Sequence, residues 1–154
     1  MQQENEIRVK SDGMLEIPDF HDGGLVGMLF PPGKRVILIL KNVKDRVHSY
    51  ELDGVVMLRA DDVRAGSIIL DFTVSTGDAV RADEVVRALG DEGSSVAPSQ
   101  LSRVMSQIKK SGLLFVQLSP SYGCEMACIC KGIRAADPWL ASISPMLTTP
   151  PAKS

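Results

Sequence analysis

The sequence is poor in aromatic residues and histidine, and it has no long apolar run. Phe, Trp and Tyr make up only 5% of the residues, so we expect an aliphatic core. The longest uninterrupted apolar stretch, Val36 to Leu40, is far shorter than the about 20 residues of a transmembrane helix. The first six residues are polar and acidic and lack the basic and apolar blocks of a signal peptide. These absences predict a cytoplasmic protein without a membrane partner.

An excess of charge of either sign is also missing. The chain has 17 basic and 19 acidic side chains, a formal net charge of −2, so no overall field attracts nucleic acid. The three cysteines lie close together, and we expect thiols rather than a structural disulfide in a reducing compartment. We therefore predict no nucleic-acid partner.

The length of 154 residues fits one globular domain. We expect a polar N-terminal tail over residues 1–13, a single domain over 14–136 and a Pro-rich C-terminal tail over 137–154. That last tail contains Trp139, the only tryptophan, which we expect either to dock on the domain or to insert into a partner subunit.

The first half of the domain has strand-like patterns. Leu25–Phe30 and Arg35–Lys41, joined by a Pro-Pro-Gly-Lys turn, predict a hairpin whose second strand is buried on both faces. Val47–Leu58 is interrupted by Asp53-Gly54, which we interpret as a bulge in one long bent strand, with a hairpin turn as the alternative. Residues 61–66 predict one helical turn.

Further on, the patterns change from strand to helix and back. Strict alternation predicts an amphipathic strand with four side chains on one face, namely Ile68, Leu70, Phe72 and Val74. Helices are predicted over residues 78–89 and from Pro98 to just before Gly112. A second hairpin should follow, with strands over 113–118 and 124–131. These patterns together predict an α+β fold: a curved, mainly antiparallel sheet of six to eight strands with two helices packed on one face.

His21-Asp22, in a turn before the first long strand, is the leading site candidate. The pair resembles the adjacent His and Asp of metal-dependent HD phosphohydrolases, but the further histidines of that family are missing, since His48 is the only other one. We interpret Asp22 as a residue that caps the turn by accepting backbone N–H bonds, and His21 as a residue that packs or forms a hydrogen bond at the sheet edge. The alternative is that His21 and His48 meet across strands and form a general base or metal site with Asp22.

Two further groups of residues could serve a site. His48 and Tyr50 share one strand face, which a ligand-binding β-cavity could use, and Tyr122 lies in a predicted turn next to Cys124. Three cysteines and one methionine occupy every second position over 124–130. Their side chains should therefore form one stripe of small buried hydrophobes beneath a helix. A reactive Cys124 activated by His21 is the alternative. Neither a phosphate-binding glycine motif nor a calcium loop is present.

Several short motifs resemble small uncharacterised bacterial proteins, some of which are similar to immunity proteins of toxin systems. They are Asp19-Phe20-His21-Asp22-Gly23, Leu52-Asp53-Gly54-Val55, Ala65 to Leu70 and Ser119 to Cys124. The resemblance implies a bacterial protein-binding module and transfers no catalytic residue.

We therefore expect a non-enzymatic module that binds a protein partner or self-associates as a homodimer, without a cofactor or metal. Its candidate binding residues are His21, Asp22, His48, Tyr50 and Tyr122. A small metal-dependent hydrolase, or a ligand-binding β-cavity, that uses His21, Asp22 and His48 is the alternative.

Overall fold

The computed structural model describes residues 8–9, 11, 15–17, 19–89 and 97–136. Ten strands, a short 3-10 helix at Gly77–Ala79 and two α-helices lie in this part of the chain. In chain order they are β1 (Arg8–Val9), β2 (Leu15–Glu16), β3 (Gly24–Leu29), β4 (Val36–Lys41), β5 (Val47–Asp53), β6 (Met57–Asp61), β7 (Ile68–Thr76), α1 (Ala82–Leu89), α2 (Pro98–Ser111), β8 (Leu114–Tyr122), β9 (Glu125–Cys130) and β10 (Gly132–Ala135). Trp139 and the expected C-terminal tail lie outside the described residues.

Eight strands form one antiparallel sheet, and β1 pairs with β2 separately. The order in the large sheet is β10-β5-β4-β3-β7-β8-β9-β6. The predicted α+β class, with its curved antiparallel sheet and two helices, is confirmed. So is the hairpin of β3 and β4, in which β4 has a strand on each side and residues 36–40 are all buried.

The two ends of the sheet are connected by the chain itself. Strand β5 continues into β6 through a bend at Gly54, and β9 continues into β10 at Lys131. Hydrogen bonds run between the bends, from Lys131 N–H to the Asp53 carbonyl (2.9 Å) and from Val56 N–H to the Ile129 carbonyl (2.8 Å). Since β5 and β6 do not pair with each other, the hairpin turn is wrong, and the single strand predicted over 47–58 is divided at Asp53-Gly54 into β5 and β6, which pair with β10 and β9.

The sheet curls around one core, and the helices cover part of its outer surface. The inner core contains side chains from β3, β4, β5, β7, β8 and β9. A second cluster forms where Val85 of α1 and Val104 and Ile108 of α2 pack against Phe115 and Ile129. Helix α2 begins at Pro98 and ends before Gly112, whose φ of 64° is left-handed, as its sequence predicts.

Three predicted elements need correction. Residues 62–66 form no helix; Asp62 has a φ of 54° and the segment is an exposed loop. Helix α1 begins only at Ala82, after the 3-10 turn, because Val80 is extended between them. The strand predicted to end at Leu118 continues to Tyr122, and β10 was not predicted.

The alternation predicted for β7 is also wrong. Phe72 and Val74 are buried in the inner core, but Ile68 and Leu70 are exposed and Ile69 takes the core position. The register against β8 is irregular around Ile69, which lies opposite Pro120. A β-bulge inserts an extra residue and shifts the alternation of the side chains, so one amphipathic pattern is divided between two faces.

Candidate functional site

The turn from Asp19 to Gly23 leads into β3 and is held by local hydrogen bonds. The carboxylate of Asp19 accepts from the N–H of His21 (2.9 Å), and the Phe20 carbonyl accepts from the N–H of Gly23 (2.8 Å). A Cβ at Gly23 would lie only 2.2 Å from the Lys41 carbonyl oxygen, so no larger residue fits there without movement. Asp22 lies in the turn with a φ of 60°, but the carboxylate that accepts a backbone N–H there is that of Asp19, so the predicted capping role of Asp22 is wrong.

Successive residues of this turn point to opposite sides of the sheet. The Phe20 side chain is buried in the inner core, where its ring makes edge contacts with His48, Tyr50 and Phe72 at centroid distances of 5.5, 6.1 and 5.8 Å. The predicted shared face of His48 and Tyr50 is thus the inward face of β5. Because Phe20 fills the space beside these two side chains, they form part of an aromatic cluster.

His21 lies on the outer surface and binds the backbone of β7. Its Nδ1 lies 2.7 Å from the Leu70 carbonyl oxygen, which requires the ring to donate from that nitrogen. This hydrogen bond, together with the negative charges of Asp22, Asp19 and Asp71, raises the pKa of His21 above its usual 6.5. Its Nε2 lies 3.7 Å from the Asp22 carboxylate.

The structure does not join the two histidines into one site. His48 Nε2 is buried without a hydrogen-bond partner, and its ring lies against Phe20, whereas His21 is bound to Leu70 on the surface. Within the described residues, no group of three or more His, Cys, Asp or Glu side chains is arranged to hold a metal ion. His21, Asp22 and His48 are therefore not arranged as a metal site.

The exposed side chains of β7 form an apolar surface next to His21. Ile68 is 42% and Leu70 47% exposed, and Tyr122, 51% exposed, is the direct cross-strand neighbour of Ile68. Directly opposed residues of antiparallel strands lie on the same face. We call Ile68, Leu70 and Tyr122 the β7 patch.

An arginine holds the tyrosine of this patch in place. The Arg64 guanidinium lies 5.3 Å from the centre of the Tyr122 ring and donates a hydrogen bond to the Tyr122 hydroxyl (3.2 Å). Arg64 itself donates hydrogen bonds to the Asp62 carboxylate, with 2.7 Å between Arg64 Nε and Asp62 Oδ1. The patch thus presents an aromatic ring of fixed orientation, and the charge of its nearest arginine is already neutralised.

Three carboxylates line the opposite end of the β7 patch. Asp19, Asp22 and Asp71 surround His21 closely enough to act on its charge. In the part of the chain that the structure describes, none of the three forms an ion pair with Lys or Arg. This end of the patch is therefore negative at neutral pH even when His21 is protonated, because three carboxylates outnumber one imidazolium.

The cysteine stripe faces the inner core, so its predicted position beneath a helix is wrong. Cys124, Cys128 and Cys130 are buried with Met126 in the inner core, while Ala127 and Ile129 face the helices. Burial raises the pKa of the Cys124 thiol, which opposes the proposed activation. A hydrogen bond to Cys130, with burial, likewise raises the pKa of Cys128.

Of the five candidate residues, Tyr122 belongs to the β7 patch and His21 and Asp22 lie next to it. His48 and Tyr50 lie on the inner face of the sheet. Sequence reasoning missed Ile68, Leu70 and Arg64 as surface residues of a site. The alternation along β7 had assigned Ile68 and Leu70 to the same face as Phe72. Pro120 was the available signal, because a residue without an N–H disturbs a strand ladder.

No family model, curated protein or solved structure matches the chain. None of the helices in the described ranges is long and apolar enough to cross a membrane.

Proposed function

We propose that this protein is a non-enzymatic protein-binding module and that the β7 patch is its contact surface. The observation that carries the proposal is the bulge at Ile69, which turns Ile68 and Leu70 out of the core beside an oriented Tyr122. Bulges commonly redirect side chains at functional sites, and exposed apolar patches mark interaction surfaces. Tyrosine is also frequent among residues that dominate binding energy.

The partner that fits this surface is a protein with an apolar centre flanked by Lys or Arg. Asp19, Asp22 and Asp71 supply carboxylates without a Lys or Arg partner within the described residues, while Arg64 is bound to Asp62 and offers no free charge. Complementary charges at the rim accelerate association and select the partner. An immunity-like role in the bacterial cytoplasm, which the motif resemblance implies, belongs to the same proposal.

A photo-crosslinking amino acid at position 70 tests the proposal in the host cell. We expect an adduct with one discrete protein from position 70 and none from position 43, where Val43 is similarly exposed on the β4–β5 turn. The captured protein is then purified and its affinity measured directly. Leu70→Asp should weaken binding by about tenfold or more, as expected for a central apolar contact.

The control variant Val43→Asp should leave the affinity unchanged, and added salt should weaken binding to the wild type. Equal adducts from both positions, or equal affinities of the two Asp variants, would show that the β7 patch is not the contact surface.

A further inference from the structure

Strand β3 has one fully paired edge and one open edge. It pairs with β4 from Gly24 to Leu29, but its register with β7 contains the single pair Gly24 and Ile68. The last bond on that side runs from Leu25 N–H to the Ser67 carbonyl (3.3 Å). Within the described residues, no strand pairs with this side of β3 beyond that bond. We call residues 26–30 on this side the β3 edge.

The β3 edge lacks the usual protection of an unpaired strand. Its residues are Val-Gly-Met-Leu-Phe, without the charged residues or prolines that prevent edge pairing. Val26 is 52% and Phe30 65% exposed, whereas the corresponding part of β4 is buried throughout. The bulge in β3 lies between Leu25 and Gly27, so Gly27 to Leu29 stay in regular register with β4.

We propose that a second copy of the chain pairs with this edge, β3 against β3 in antiparallel direction about a two-fold axis. An axis at Met28 pairs residues 27–29 of the two copies, the part of β3 in regular register, and brings Phe30 of each copy to the end of the pairing beside the bulged Val26 of the other. No charged side chain meets another because the edge contains none. Each copy carries a net charge of only −2, so electrostatic repulsion between copies is small.

This dimer uses the β3 edge and not the β7 patch, so it is independent of the proposed function. Pairing two identical edges gives a closed isologous assembly, because each edge pairs with the other and neither remains open. The dimer would also remove the apolar edge from solvent, where an unpaired strand invites aggregation.

Sedimentation velocity over a dilution series tests the dimer with the full chain. The wild type should show twice the chain mass of 16.6 kDa at the high end of the series and the single mass at the low end. The double variant Val26→Lys, Phe30→Lys should stay at the single mass throughout. A matched control, Val43→Lys with Val63→Lys, changes two equally exposed valines elsewhere and should dimerise like the wild type.

Hydrogen exchange gives a second readout that needs no substitution. In the wild type, backbone amides of residues 27–29 should exchange more slowly at high than at low protein concentration. Leu70→Asp should leave both the mass and this protection unchanged, which separates the dimer from the β7 patch. The proposal would be overturned by a wild type that is monomeric at every concentration or by amide protection that does not depend on concentration. Loss of the dimer in Leu70→Asp but not in the double variant would overturn it as well.

Discussion

Two outer surfaces of the same sheet are apolar, but among the described residues only one of them is covered by other parts of the chain. On β8 and β9, Phe115 and Ile129 are buried beneath the two helices. On β7, Ile68 and Leu70 are about half exposed. An apolar surface is stabilising for the isolated chain only when another part of that chain removes it from water.

The comparison shows that the exposed surface is built into the fold. The bulge at Ile69, the His21 bond to the Leu70 carbonyl and the Arg64 contact with Tyr122 each position one part of it. Predictions from sequence patterns tend to disagree with the structure at functional or strained sites. Here the prediction from the alternation along β7 disagrees with the structure where apolar side chains are exposed.

The largest expected effect is a contrast in stability between the two surfaces. Ile108→Ala, beneath the helices, should lower the free energy of unfolding by about 2–5 kcal/mol because it leaves a cavity. Leu70→Ala should change it by no more than about 0.5 kcal/mol, as usual for a surface site. Urea unfolding of both variants measures the contrast, and equal losses would show that Leu70 is a core residue.

The next effect concerns the turn that carries Tyr122 into β9. Gly123 has a φ of 91°, and a Cβ there would lie 2.3 Å from the Ser67 hydroxyl oxygen. That hydroxyl donates to the Arg64 carbonyl and accepts from Cys124 N–H, so Gly123→Ala should disturb both bonds.

Gly66→Ala is the matched control, because Gly66 has a φ of 77° but nothing within 4 Å of its Cβ position. The left-handed conformation alone should cost about 1–2 kcal/mol in the control. Gly123→Ala should cost about 1–3 kcal/mol more through overcrowding. Thermal unfolding of the pair measures the difference, and matching losses would mean that Ser67 moves aside freely.

The smallest effect is the pH dependence from His21. Its pKa is raised in the folded state, so its protonated form contributes stability that is fully present below pH 6.5 and is lost as the pH rises through the raised value. The stability difference between wild type and His21→Ala should therefore shrink with rising pH. Urea unfolding at several pH values measures this difference.

NMR titration of the ring protons provides the control for that experiment. His21 should titrate above pH 6.5 in the wild type and at a lower pH in Asp22→Asn, because one of the charges that raise its pKa is removed. A His21 pKa at or below 6.5, or a stability difference that stays constant with pH, would contradict the raised pKa of His21.

Locally determined features were predictable from the sequence, and features that depend on distant partners were not. Pro98 and Gly112 mark the ends of α2, since capping depends on neighbouring residues alone. The bulge in β7 depends on Pro120, about fifty residues away, and β10 depends on pairing with β5. Local alternation contains no information on either partner.

The candidate site shows the same division. The turn at Asp22 and the shared face of His48 and Tyr50 follow from short-range patterns, and the structure has both. The separation of the two histidines arises because Phe20 enters the core between β5 and β7. Such packing requires the complete sheet, so it could not be predicted from the periodicity of the sequence.

The connected bends at Gly54 and Lys131 have a consequence for the order of folding. Strand β5 gains its second neighbour only from β10, which is synthesised almost eighty residues later. Pairings between such distant segments carry a large loop-closure entropy and slow the search for the native state. On the ribosome, β5 can pair with β4 at once, but its other edge and the whole of β6 stay hydrated until β9 and β10 emerge and complete the ladder.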